Sequence, residues 1–157
     1  MNIVLSSLEP NDITIIREWK PYPAEFSELD YALREGGWLD EFYPYPNTHL
    51  FTAKWENEII GFSLLSIQGV ETEFRIALKP DKIGKGFGKT VALATITEFY
   101  KLHEEDSLYL IVRLSNTVAQ SLYKSIGFIP DQEVTKDIQG IPVQFLKMKY
   151  TKGYICG

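Results

Sequence analysis

Ile83-Gly84-Lys85-Gly86-Phe87-Gly88-Lys89-Thr90 places three glycines at alternate positions directly ahead of a long amphipathic stretch. Glycine takes left-handed backbone conformations without a Cβ penalty, so such a run turns sharply and points successive N–H groups inward. A helix starting there adds its unpaired amides and the positive end of its dipole. The stretch reads as an anion site, with phosphate the usual occupant. Two phosphate-loop templates fail on spacing. A nucleoside-triphosphate loop needs a glycine where Ile83 stands, and a dinucleotide loop begun at Gly84 needs one at Lys89.

Working outward, Thr72 to Leu78 has strand character and stops at Pro80. Thr72, Phe74, Ile76 and Leu78 share one face; Glu71, Glu73, Arg75 and Ala77 share the other. Downstream, Val91, Leu93, Ala94, Ile96, Phe99 and Tyr100 predict about four turns of helix over Phe87 to His103. Leu108 to Leu114 is nearly continuously apolar, which predicts a central strand covered on both faces. Ser115-Asn116 starts a helix that runs to Ile126 and ends at Gly127. Phe128 to Val134 and Pro142 to Tyr150 close the chain as strands around Gln139-Gly140.

Upstream, Asn2 to Leu5 is a short strand, and Glu9-Pro10-Asn11-Asp12 opens a helix that Lys20-Pro21-Tyr22-Pro23 breaks. Phe26, Leu29 and Leu33 have helical spacing up to Gly36-Gly37. Trp38 to Pro46 is an aromatic, proline-rich loop suited either to lining a pocket or to covering the core. His49 to Trp55 and Ile59 to Ile67 form a hairpin, with Gly61 at a bulge or close approach.

The chain has 157 residues, 45% of them hydrophobic, enough for a single domain spanning 1–157. No signal peptide or membrane span is evident, so a cytoplasmic location is expected. One cysteine, Cys156, and two histidines, His49 and His103, offer no metal cluster, and no metal is expected. The net charge of −5 is local: Glu25, Glu28, Asp30, Glu35, Asp40 and Glu41 stand against Arg34 alone. That field disfavours nucleic acid and favours a cationic partner.

Two motifs together resemble the GNAT superfamily of acyl-CoA-dependent N-acyltransferases. The first is the strand ending at Pro80 and its loop, which fit the R/Q-x-x-G-x-G/A signature at Gly86 and Gly88, with Ile83 where Arg or Gln is usual. The second is Asn116-x-x-Ala119-x-x-Leu122-Tyr123-x-x-x-Gly127-Phe128. The resemblance covers Glu71 to Tyr150 and implies an α+β, three-layer αβα fold. Its mixed, mostly antiparallel sheet would carry helices on both faces and splay between the Thr72 and Leu108 strands.

It further implies acetyl-CoA as co-substrate, held by Ile76, Leu78, Ile83, Gly84, Lys85, Gly86, Phe87, Gly88, Lys89, Thr90, Asn116, Ala119 and Tyr123. Lys82, Lys85 or Lys89 would replace the charge absent at Ile83. An amine attacking a thioester needs a base, an oxyanion donor and an acid for the leaving thiolate. The resemblance assigns the donor to the Ile76 amide and the acid to Tyr123. Glu73, or Glu71, is the candidate base. The acceptor is expected to be a cationic amine, reached without nucleic acid or membrane, and the protein a monomer or homodimer. A non-catalytic acyl-CoA sensor or docking module is the rival reading.

Overall fold

The computed structural model describes residues 2–23, 39, 46–102 and 107–150. Seven strands form one sheet: β1 (Val4–Ser7), β2 (Thr48–Trp55), β3 (Glu58–Gln68), β4 (Glu71–Leu78), β5 (Ser107–Arg113), β6 (Ile129–Ile138) and β7 (Ile141–Tyr150). Their spatial order is β1-β2-β3-β4-β5-β7-β6, and every neighbouring pair is antiparallel except β4–β5. Among the described residues these helices accompany them: α1 (Pro10–Arg17), α2 (Phe87–Leu102) and α3 (Thr117–Ser125). The expected mixed, mostly antiparallel αβα architecture is present.

Local chemistry explains the elements. The Asp12 carboxylate accepts from the Glu9 amide at 2.9 Å and closes a capping box at the start of α1, with Pro10 at the first turn. The same carboxylate accepts from Thr52 Oγ1 at 2.9 Å and ties α1 to β2. Glu56 and Asn57 both have positive φ, as do Gln139 and Gly140, so both hairpins turn on two residues. A bulge between Ala53 and Lys54 faces Ile59 to Gly61.

Alternation assigns the faces. Ile16, Leu39, Phe62 and Leu64 form a core under α1, joined by Ala77. On the other face Phe74, Leu108, Leu110 and Met148 pack against Ala92, Ile96 and Phe99 of α2 and Tyr123 of α3. Leu39 belongs to the stretch expected to line a pocket or cover the core, and it is buried core. Leu39 is helical, where the sequence pattern predicts a loop; the rest of Trp38 to Tyr45, the helix expected from Phe26 to Gly36-Gly37 with its acidic residues, His103 and Cys156 lie outside the described residues.

Three boundaries differ from the sequence reading. The opening strand is Val4–Ser7 rather than residues 2–5. β5 is central but covered on one face only: Leu108, Leu110 and Val112 are buried, whereas Tyr109, Ile111 and Arg113 are half-buried. Tyr109 and Arg113 pair apolar bodies with polar ends, which suits a partly solvated face. The β6–β7 hairpin runs four residues further toward its tip on β6 than the apolar pattern predicts. A two-residue turn keeps strands paired through Thr135-Lys136-Asp137 although they are exposed.

Candidate active site

Among the described strands one pair is parallel, and it is the shortest. β4 and β5 pair at Glu71↔Ser107, Thr72↔Leu108 and Glu73↔Tyr109, and then part. Beyond Glu73, β4 remains paired with β3 as far as Leu78, and β5 with β7 as far as Arg113. The sheet therefore opens a cleft between the carboxyl ends of two parallel strands, the place where open α/β sheets hold ligands.

The β4 edge lining this cleft carries backbone groups that no strand uses. The Lys79 amide donates to Ile60 on β3, and antiparallel pairing alternates, so Phe74, Ile76 and Leu78 turn their N–H and C=O groups toward the cleft. Their side chains lie on the α2 face, where Ile76 and Leu78 border the cluster of Phe87 and Val91.

A single turn of tight helix, Pro80 to Lys82, leads from β4 into the glycine loop. Gly84 and Gly86 have φ of 79° and 86°, the left-handed region, and a Cβ at Gly84 would meet nothing within 4 Å. The loop is open outward, as a group that seats an external anion must be. Gly88 serves packing: a Cβ there would sit 3.3 Å from Leu122 and 3.5 Å from Leu78, so its absence lets α2 approach both α3 and β4. Thr90 Oγ1 donates back to the Gly86 carbonyl at 3.3 Å.

No acidic residue occupies the first turn of α2 or α3, whereas α1 has Asp12 there. The two helices that start at the cleft thus keep their positive ends uncompensated. The three lysines separate cleanly. Lys82 lies 3.6 Å from Glu58 and about equally near the Trp55 and Phe87 rings, 5.8 and 5.9 Å from their centroids. Glu58 also pairs with Lys79 at 2.6 Å, which pulls its carboxyl below the usual range and pushes the lysine up. Lys85 and Lys89 are exposed and have no ion pair among the described residues. Ile83 is half-buried with extended backbone.

On α3, Asn116 caps the helix, its Oδ1 accepting from the Ala119 amide at 3.1 Å. Its amide nitrogen remains available, and Ala119 lies about one turn before Tyr123 on the same helix face. Gln120 donates to the carbonyls of Arg113 and Leu114, which fastens α3 to the end of β5. Tyr123 is buried with its ring edge-on to Phe74 and Phe128, centroids 6.3 and 5.7 Å away. Burial pushes its phenol well above the usual value, and the hydroxyl has no hydrogen-bond partner among the described residues. It is a protonated donor held next to the β4 edge.

The opposite face of the strand pair carries a polar cluster. Glu73 is 3% exposed, and its carboxylate accepts from Arg75 Nε at 2.7 Å and more distantly from Gln68. The Tyr109 hydroxyl donates to Gln68 Oε1 at 2.9 Å, and burial, followed by the charges of Glu73 and Glu71, pushes it up to about 12. Lys147 Nζ lies over the Tyr109 ring and 3.3 Å from Glu71, paired in charge but outside hydrogen-bond geometry. Of these, only Glu73 and Glu71 stood out in sequence. Arg75 was legible as the same-face neighbour of Glu73; Gln68, Tyr109 and Lys147 arrive from other strands and carried no signal. Among the described residues no group of His, Cys, Asp and Glu could hold a metal, and no helix is long and apolar enough to cross a membrane.

Residues 14–128 match the model of the acetyltransferase (GNAT) family. A Bacillus subtilis protein provisionally named ribosomal protein bS18-alanine N-acetyltransferase is 27% identical over 110 residues, covering 69% of this chain and 72% of its own. Among solved structures, a chimera of the spermidine N-acetyltransferase SpeG from Vibrio cholerae and hSSAT superposes with a TM-score of 0.79 at 23% identity, covering 98% of both chains. The ribosomal-protein-S18-alanine N-acetyltransferase from Escherichia coli gives 0.74 at 20% identity, covering 96% of this chain and 94% of its own. The cleft beside the free β4 edge, the glycine loop and the family match over most of the chain lead to one conclusion: this chain belongs to the GNAT family of acetyltransferases, enzymes that move an acetyl group to an amine.

Proposed function

We propose that this enzyme acetylates a cationic amine with acetyl-CoA bound in the β4–β5 cleft, by direct attack in a ternary complex. The observation that carries the proposal is the divergence of β4 from β5 after Glu73, which frees the Ile76 and Leu78 backbone beside an open glycine loop. Bound acetyl-CoA supplies an activated thioester; everything else falls to the chain. Amides of Gly84 to Thr90 would hold the pyrophosphate, with Lys85 and Lys89 supplying the charge that Ile83 lacks. Lys82, engaged by Glu58, would steady the loop instead. Leu78, Asn116 and Ala119 would flank the pantetheine arm, and the Ile76 amide would donate to the carbonyl oxygen as it gains charge.

The two faces of the sheet divide the proton work. Tyr123, on the α2–α3 face, gives a proton to the departing sulfur as the new C–N bond forms and the C–S bond breaks. Glu73 lies on the opposite face, so the amine can enter from one side while the thiolate leaves toward the other. Glu73 precedes Ile76 by three residues, about 10 Å along a strand, so the amine's proton reaches it by way of water. The only cysteine, Cys156, is remote in sequence from every motif, which favours direct transfer over an acyl-enzyme.

The acidic run from Glu25 to Glu41 supports a cationic acceptor such as a polyamine or a protein N-terminus, matching in chemistry what the named relatives act on. The test is a panel of amines, including spermidine and an alanine-initiated peptide, followed by CoA release. Neutralising Asp40 and Glu41 together should raise the acceptor's KM and leave that of acetyl-CoA alone. An unchanged acceptor KM would remove these acids from recognition.

A further inference from the structure

Leu78 ends β4, and by the alternation of pairing its carbonyl points into the cleft, where β5 is no longer present to satisfy it. A side chain from 56 residues earlier does so instead: the Tyr22 hydroxyl donates to the Leu78 carbonyl at 2.5 Å. Tyr22 is 6% exposed although it lies in an irregular segment after α1. Pro21 and Pro23 flank it, fixing their own φ angles and restricting the residue before each. The hydroxyl is therefore delivered with little freedom, and the bond joins the amino-terminal segment to the strand end that the proposed cofactor would lie along.

We infer that Tyr22 is a positioning residue for acetyl-CoA: by capping the Leu78 carbonyl it holds the end of β4 extended, so that the Leu78 edge keeps its aim into the cleft. Uncapped, that carbonyl must recruit water within the cleft or rotate, and rotation of the Leu78 peptide plane misaligns the edge beside it. The inference rests on the reading that acetyl-CoA occupies this cleft. The Leu78 edge would flank the pantetheine arm rather than the reacting carbonyl, so its contacts are made alike in the ground state and the transition state and their loss appears in KM rather than in kcat.

The test is Tyr22→Phe, which removes the hydroxyl and keeps the buried ring. Acetyl-CoA titrations of both proteins, steady-state kinetics and thermal unfolding are compared, and the Leu78 carbonyl carbon resonance is recorded in each as a readout independent of turnover. The expected result is a rise of about fivefold in Kd and KM for acetyl-CoA, equivalent to about 1 kcal/mol, with kcat within twofold, acceptor KM unchanged and the Leu78 resonance displaced. A merely structural role would lower Tm and the active fraction with KM constant, and that outcome overturns the inference. Wild-type binding with equal binding by the variant also overturns it while leaving the proposed function standing. No binding by the wild type removes the proposed function itself, and this inference with it.

Discussion

Replacing Tyr123 with Phe should abolish most activity and leave stability nearly unchanged. Edge-on rings of Phe74 and Phe128 hold the aromatic body, and no group among the described residues accepts a hydrogen bond from the hydroxyl. The hydroxyl is not among the buried, unsatisfied side-chain atoms, so it reaches solvent. Its removal, with the ring packing kept, should therefore change stability by less than about 0.5 kcal/mol, a shift of under about 2 °C in Tm for a chain of this length. Catalysis should suffer, because a positioned acid contributes about 10²- to 10⁴-fold. The expected kinetics are a kcat lower by at least about 100-fold with KM for acetyl-CoA little changed, followed by thiol release at saturating acceptor. Since burial holds the phenol above its usual value, the wild-type rate should show no loss from its ionisation below about pH 10. Turnover within threefold of wild type would refute the acid role; a fall in Tm beyond about 2 °C would refute the reading of the hydroxyl as unpartnered.

Other perturbations separate the parts of the site. Lys85→Glu and Lys89→Glu should each weaken acetyl-CoA binding by about tenfold, an effect that added salt diminishes, with Tm unchanged because neither lysine has an ion pair among the described residues. Gly88→Val should cost about 1–3 kcal/mol by denaturant unfolding, since the new methyls enter space held by Leu122 and Leu78. Tyr109 has its folded-state pKa raised to about 12 from an ordinary 10, so its contribution to stability is complete below pH 10 and is lost as pH rises toward 12. Tm measured against pH should decline over that window, and Tyr109→Phe should flatten the decline.

The parts of this account that were legible in sequence are those encoded locally. Alternate glycines before a helix, the Asn116 cap and the two-residue turn at Gln139-Gly140 each act within a few residues, and each is found where the pattern places it. The faces of β4 followed from alternation alone. What could not be read is what depends on partners distant in the chain. Nothing in Leu108 to Leu114 itself shows that β5 leaves β4 after three residues, because the divergence is a property of two strands and the helix joining them; the splay is expected from the family resemblance alone, and it is present. Tyr22 looked like part of a helix-breaking run, and its partner is 56 residues away. Glu73 could be suspected as an isolated carboxylate, but its bond to Arg75 and the cluster brought by Gln68, Tyr109 and Lys147 required four strands to be in place.

Glu73 and Ile76 present their side chains on opposite faces of β4. Once the strands part, the reacting bond would lie in the gap between the faces, and a base on one side with an acid on the other becomes a sensible division. Glu58, Lys79 and Lys82 are explained similarly: they clamp the β2–β3 turn to the entry of the glycine loop, so charge near the loop is not all available to a ligand.

The central claim is that acetyl-CoA lies along the free edge of β4 with its pyrophosphate on the glycine loop. Amide hydrogen exchange of the wild-type protein, with and without saturating acetyl-CoA, tests it most directly. Protection gained at Ile76, Leu78 and Gly84 to Thr90, and not on the exposed β6–β7 hairpin, is the result this account predicts. Saturable binding that leaves those amides exchanging at their unliganded rates would contradict it.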